Sequence, residues 1–186
     1  MRYIGFTANS AFGYSDKVAK HVLSWIDPSY VSYKWVDRGS DERQYCAPGV
    51  DLPIASIMRT KYGSYPEYHT SLDDLINVVT PDGLEGGYEA LRLSIEAIEN
   101  NCYPRVTVLG EPQLGKRGLY PTISTKNSAS DTGLLMNLIT WSDGNHSLLE
   151  IAEKCNTPIW ELYPLIKKLQ THDLLVLESE RVDSVS

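Results

Sequence analysis

The longest unbroken pattern in the chain runs from Thr80 to Asn101 and calls for one long helix. Thr80 supplies a capping hydroxyl, and Pro81 stands at the first helical position, where its missing N–H costs nothing. Leu84, Tyr88, Leu91, Ile95 and Ile98 follow at alternating four- and three-residue steps. They share one face, and the spacing predicts that this face is buried. Asn100, Asn101 and Pro104 close the element. A helix with an apolar stripe needs a second layer, which the residues before it must supply. Its expected role is packing, as the final cover of a sheet, and not chemistry.

Those residues read as a sheet. Arg2–Thr7 is a candidate strand, and a helix capped near Ser15 runs to about Ile26, where Asp27-Pro28 ends it. Tyr30–Val36 is rich in β-branched and aromatic residues and reads as a second strand. Pro53–Met58 is a short apolar run fitting a buried strand, with Arg59 just past its end. Strand, helix, strand, loop, strand, loop, helix is the order of an α/β domain with a mostly parallel sheet, placed at residues 1–104. Binding residues in such sheets gather beyond the C-terminal strand edge, so the Asp41–Cys46 and Arg59–His69 loops are expected to share one cleft.

Residues 105–126 read as a connector, with a weak strand at Val106–Leu109 and a loop rich in Gly and Pro. Gly115-Lys116-Arg117-Gly118 lacks both the spacing and the following helix of a phosphate-binding loop. From 127 to 180 the order is helix, turn at Ser142-Asp143-Gly144, a helix opened by the capping box Ser147–Glu150, a helix from Thr157-Pro158, and a strand at Leu174–Leu177. That is winged-helix topology with a reduced wing, followed by a tail at 181–186. From Asp131 onward nine acidic residues face four basic ones, and the third helix opens Pro-Ile-Trp-Glu-Leu-Tyr with no basic residue. A duplex binder must neutralise several phosphates, so nucleic acid is excluded as a partner and the module is read as a docking or dimerisation element. A homo-oligomer or a protein partner through the winged helix is the expectation.

Composition adds exclusions. Cys46, Cys102 and Cys155 are odd in number and widely spaced, which points to reduced thiols in a cytoplasmic setting and away from a cysteine zinc site. No run approaches the roughly 20 apolar residues of a bilayer span, so no membrane partner is expected. The net charge of −7 again speaks against nucleic acid.

The residues that carry chemistry lie at Tyr65–Asp74, Tyr-Pro-Glu-Tyr-His-Thr-Ser-Leu-Asp-Asp. Pro66 keeps Tyr65 extended, and Ser71-Leu72-Asp73-Asp74 has the spacing of a helix-opening capping box. His69 would thus sit on a short rigid loop, with acceptors at hand to fix its tautomer as a metal ligand requires. The plainer alternative is a loop histidine that only packs.

Gly39-Ser40-Asp41-Glu42-Arg43-Gln44-Tyr45-Cys46, Pro48–Pro53, Met58-Arg59-Thr60 and Tyr68-His69-Thr70-Ser71-x-Asp73 form an ordered series. The series resembles the C-terminal half of the zinc aminopeptidase-like superfamily. Its closest likeness is to the bacterial aminopeptidase-like branch labelled as polysaccharide biosynthesis proteins, which carries a C-terminal winged helix. The likeness runs from about Phe6 to Glu178. It implies two zinc ions above the sheet edge, held in chain order by a histidine, a bridging aspartate, a glutamate, an aspartate and a last histidine. A second glutamate beside the ligand glutamate is the general base. The metals would lower the pKa of a bound water and polarise a scissile carbonyl.

By its setting, His69 matches the last ligand and Asp73 the acid that follows it. The resemblance puts Asp41, Glu42, Arg43, Tyr45, Arg59 and Tyr68 around the substrate side, Asp41 as a supporting acid and Arg43, Tyr45 and Arg59 toward a substrate carboxylate or backbone. A loop braced by Arg–carboxylate pairs is the alternative for these residues. No Glu-Glu pair precedes His69, and His21 sits in a helix away from any suitable Asp. One imidazole cannot hold catalytic zinc, which takes about three protein ligands. The expectation is therefore the C-terminal portion of a zinc-dependent aminopeptidase-like hydrolase. It would be inactive alone, with no catalytic residue of its own, and would take a peptide-like or aminoacyl substrate if completed. The alternative is a non-catalytic interaction module built on the winged helix.

Overall fold

The computed structural model describes residues 4–6, 13–119 and 126–179, of which 4–6 and 126–131 are described by backbone alone. The expected tail at 181–186 and the ends of the Arg2–Thr7 strand lie outside the described residues. Two compact units divide between Ile98 and Glu99. No helix among the described residues is long and apolar enough to cross a membrane.

The first unit contains β1 (Ile4–Phe6), α1 (Tyr14–Ile26), β2 (Val31–Tyr33), the single turn α2 (Glu42–Tyr45), β3 (Ile57–Met58) and the body of α3 (Pro81–Glu99). The sheet order is β2-β1-β3. β1 and β2 are parallel, with Ile4 opposite Val31, but β3 runs antiparallel to β1, with Ile4 opposite Met58. The α/β class stands; the direction of the third strand does not follow the expected order. It places Arg59 at the edge where β1 and β2 begin, opposite the edge from which the 34–46 loop departs.

β3 is shorter than its apolar run for a local reason. The Leu52 N–H donates to the Tyr45 carbonyl at 2.8 Å, and the Cys46 thiol donates to the Leu52 carbonyl at 3.2 Å. Pro53 has no N–H to offer. The chain at 52–54 is tied to α2 before it can join the ladder.

α3 forms where its caps predict, with the Thr80 hydroxyl accepting from the Gly83 N–H at 3.1 Å. Its buried face is not the expected one. Ala90, Leu93, Ser94 and Ala97 are buried, whereas Leu84, Tyr88, Leu91, Ile95 and Ile98 are all exposed. Ala90 packs with Leu23 of α1, and Ile26, Tyr30 and Ile57 close around the pair. Small residues let the two helix backbones approach, so the contact selects the alanine face over the leucine face.

The second unit contains β4 (Tyr103–Val106), α4 (Lys126–Trp141), α5 (Leu148–Cys155), α6 (Ile159–Thr171) and β5 (Leu175–Glu178). β4 pairs antiparallel with β5, with Tyr103 opposite Glu178. Gly144 donates to the Pro104 carbonyl on the other side of β4 at 2.9 Å. The strand therefore starts at Tyr103, ahead of the Val106–Leu109 stretch, and belongs with the winged helix. Ser147 and Glu150 form a reciprocal capping box at the start of α5, and Asn156 ends it with φ +48°. Leu138, Leu148, Ile151, Ile159, Leu162, Leu169 and Leu174 are fully buried and form an enclosed core.

Candidate functional site

The 39–46 loop is organised by a carboxylate that points inward. Glu42 is buried, and its Oε1 accepts from the Tyr62 hydroxyl at 2.6 Å and from the Gly39 N–H at 3.4 Å. Gly39 is needed there, because a Cβ at that position would lie 2.5 Å from Cε2 of Tyr62. Burial pushes the Glu42 pKa up, but the Tyr62 hydroxyl and the N–H groups of Glu42, Gly39 and Ser40 outweigh it and hold it below the ordinary value. Burial and the Glu42 charge push the Tyr62 hydroxyl up to about 12. Lys61 Nζ lies 4.7 Å from the centre of the Tyr33 ring, which ties the end of β2 to the same group.

The two loops thus meet, although they leave opposite edges of the sheet. The residues that join them, Gly39 and Tyr62, were not picked out from sequence. A Gly-Ser pair ahead of a short acidic turn and a Tyr-Gly pair after a strand were the signals available. The alternative of Arg–carboxylate bracing finds no ion pair at Arg43 among the described residues; its Nε donates to the Ser40 carbonyl at 3.4 Å. Asp41, Arg43 and Tyr45 are exposed along α2, and Arg59 is half-buried.

His69 is exposed and adopts a left-handed conformation, φ +60°. Its ring stacks on Tyr68, with centroids 4.0 Å apart and planes 16° from parallel. Tyr65 meets Tyr68 edge-on at 5.6 Å, and the Tyr65 hydroxyl donates to Asp73 Oδ2 at 3.1 Å. The loop is closed further by Thr70, whose N–H and hydroxyl both donate to the Glu67 carbonyl at 3.0 and 2.7 Å. Two expectations need correction. No helix opens at Ser71; residues 71–78 form turns in which Asp74 Oδ1 accepts from the N–H groups of Ile76 and Asn77 at 2.9 and 2.8 Å. The carboxylate caps a turn, and with Leu72, Leu75 and Ile76 exposed the segment has no buried face to propagate a helix. No hydrogen bond among the described residues fixes the His69 tautomer either; stacking on Tyr68 holds the ring and leaves both nitrogens open.

Among the described residues no three His, Cys, Asp or Glu side chains converge on a metal position. His69 can supply one imidazole nitrogen, and one donor does not make a zinc site. Cysteine chemistry is disfavoured by geometry. Cys46 is buried with its thiol directed at Leu52, and burial pushes the Cys102 thiol up to about 11.

Residues 7–101 match a family described as a domain of unknown function, DUF4910, and residues 101–177 match a winged helix-turn-helix family. The first match covers just over half of the chain. The chain belongs to the DUF4910 family. It is 40% identical over 141 residues to a Clostridium acetobutylicum protein named, provisionally, as a polysaccharide biosynthesis protein with aminopeptidase-like domain. That alignment covers 75% of this chain and 32% of the relative. A crystal structure of a candidate peptidase from the same organism superposes with a TM-score of 0.82 at 32% identity, covering 95% of this chain and 39% of the other. This member of the family thus spans between a third and two fifths of each relative's length, and the structural likeness to the candidate peptidase extends along nearly all of its own.

Proposed function

We propose that this chain is one part of a zinc-dependent aminopeptidase-like hydrolase, to which it contributes His69 as a metal ligand and the 41–46 and 59–69 loops as the substrate side. The observation that carries the proposal is the state of His69: exposed, left-handed, its ring stacked on Tyr68, and with both ring nitrogens open. Backbone conformations of this kind in a non-glycine residue concentrate at functional positions. The likeness to an aminopeptidase-like relative and to a candidate peptidase supports the reaction class. The remaining metal ligands come from chain beyond the described residues. When bound, zinc would supply a water of lowered pKa. Exposed Asp41, Arg43 and Tyr45 are available to a peptide-like or aminoacyl substrate, with half-buried Arg59 in the second loop, whereas Glu42 is committed to Tyr62 and serves as a brace.

The test is zinc content and aminopeptidase turnover, measured on this chain alone and on a fusion in which it replaces the matched third of the C. acetobutylicum relative. The fusion is expected to hold zinc and to lose it on His69→Ala, and the chain alone to hold none tightly. Stoichiometric zinc with turnover by the isolated chain, or a fusion indifferent to His69→Ala, would overturn the proposal.

A further inference from the structure

Arg38 closes the short helical turn Trp35–Asp37 and stands one residue ahead of the brace made by Gly39, Glu42 and Tyr62. Its N–H and its Nη1 both donate to the Trp35 carbonyl at 3.1 Å. The guanidinium carbon lies 4.5 Å from the centre of the Trp35 ring. A carbonyl and a flat ring thus hold the group, and no anion is among its partners. Nε is buried without an acceptor, Nη2 has none either, and no ion pair among the described residues includes Arg38. The acids nearby in sequence do not neutralise it. Asp37 Oδ2 accepts from the Lys34 N–H at 3.2 Å, Glu42 is turned to Tyr62, and Asp41 is exposed on α2.

The open edge of the guanidinium has a definite shape. Nη1, on the Cδ side, is the nitrogen already used; Nε–H and the neighbouring Nη2–H point the same way. Two parallel donors of this kind match the two oxygens of a carboxylate. The Trp35 ring anchors the charge without supplying an acceptor in the plane of the N–H bonds. A buried charged N–H left unmet is costly, and folded chains keep few of them. Arg43 of the same loop offers less, because its Nε already donates to the Ser40 carbonyl. Lys61, beside the brace, lies over the Tyr33 and Tyr62 rings at 4.7 and 5.8 Å and adds positive charge to this side of it. We propose that Arg38 binds a carboxylate of the peptide-like substrate, taking its two oxygens on Nε–H and Nη2–H. This rests on the function proposed above for the kind of molecule that carries the carboxylate. Nε lies out of reach of water in the free chain, so binding turns the side chain outward across the Trp35 face until both N–H groups meet the oxygens. A C-terminal carboxylate and an acidic side chain share this shape, and the test tells them apart.

Heteronuclear NMR of the isolated chain reads the Arg38 Nε–H directly. Alanyl-alanine presents a C-terminal carboxylate, alanyl-glutamate α-amide a side-chain carboxylate, and alanyl-alanine amide neither. One or both acids are expected to move the Arg38 Nε–H resonance saturably, naming the source, and the amide to leave it in place. Arg38→Lys keeps the charge and loses the fork, so binding followed at the Gly39 N–H is expected to weaken about tenfold or more. No saturable shift with either acid, an equal shift with the amide or with inorganic phosphate, or binding unchanged by Arg38→Lys would each overturn the proposal. The titration of the unsubstituted chain decides it even where the variant does not fold. Zinc content of the fusion is a separate reading. A saturable Nε–H shift beside a zinc-free fusion keeps the carboxylate site and sinks the metal role of His69, and zinc without the shift does the reverse.

Discussion

Glu42 and Tyr62 stand 20 residues apart in sequence and share a hydrogen bond of 2.6 Å. It holds together two loops that the strand directions would otherwise send apart. The Glu42 carboxylate is buried, so removing its donor leaves a charge short of a partner. Tyr62→Phe is expected to cost about 1–3 kcal/mol, read as a lower urea midpoint at neutral pH. A change below about 0.5 kcal/mol would mean that water replaces the hydroxyl and that the brace is not rigid.

The same pair has a pH signature with two limbs. Glu42 has its pKa depressed below 4.5 in the folded chain. Its stabilisation is present above the unfolded value and is lost as pH falls through the lower folded one. Tyr62 is raised from 10 to about 12. Its contribution is present below pH 10 and is lost as pH rises toward 12. Urea midpoints measured across pH should therefore decline at both ends. In Tyr62→Phe the alkaline decline should shrink, because nothing titrates there, and the acid limb should flatten with the lost donor.

His69 should respond differently to two small substitutions. A left-handed residue other than glycine carries about 1–2 kcal/mol of strain. His69→Gly removes that strain, but it loses the Tyr68 stack and costs about 0.5–1 kcal/mol in unfolded-state entropy, so stability should stay within about 1 kcal/mol of the parent. His69→Ala keeps the strain and loses the Tyr68 stack, costing up to about 1 kcal/mol. Denaturant unfolding of the two variants decides it. A glycine variant less stable by more than 1 kcal/mol would show the imidazole to be structural.

Element types were legible from residue patterns, and the pairing of elements was not. Thr80-Pro81, Ser147–Glu150 and Thr157-Pro158 mark helix starts because capping is local chemistry, written within four residues. The direction of β3 depends on which neighbour it meets in space, and a two-residue strand carries no sign of it. The four-and-three spacing of α3 correctly announced a helix with an apolar stripe. It misplaced burial, since periodicity reports that a face is apolar and not whether something described covers it. At the candidate site, His69 stood out by its motif, while Glu42 was read as facing substrate because its reach to Tyr62 is a tertiary contact.

The winged-helix unit should melt as its capping box dictates. The Ser147 hydroxyl accepts from the Glu150 N–H at 3.3 Å, and Glu150 Oε2 accepts from the Ser147 N–H at 2.8 Å. Ser147→Ala is expected to lower the stability of this unit by about 1 kcal/mol, and Ser147→Asp to recover most of it. The readout is the thermal transition followed by Trp141 and Trp160 fluorescence, both in this unit.

Leu91 and Leu93 lie two residues apart on α3 and should behave as different kinds of residue. Leu93 is 7% exposed and Leu91 54%. Leu93→Ala opens a cavity where the side chain is buried and is expected to cost about 2–4 kcal/mol. Leu91→Ser removes a side chain that touches mostly water and should change stability by less than about 0.5 kcal/mol. Denaturant unfolding of the two variants decides it. A Leu91→Ser cost equal to that of Leu93→Ala would mean that the leucine face is buried and not exposed as described.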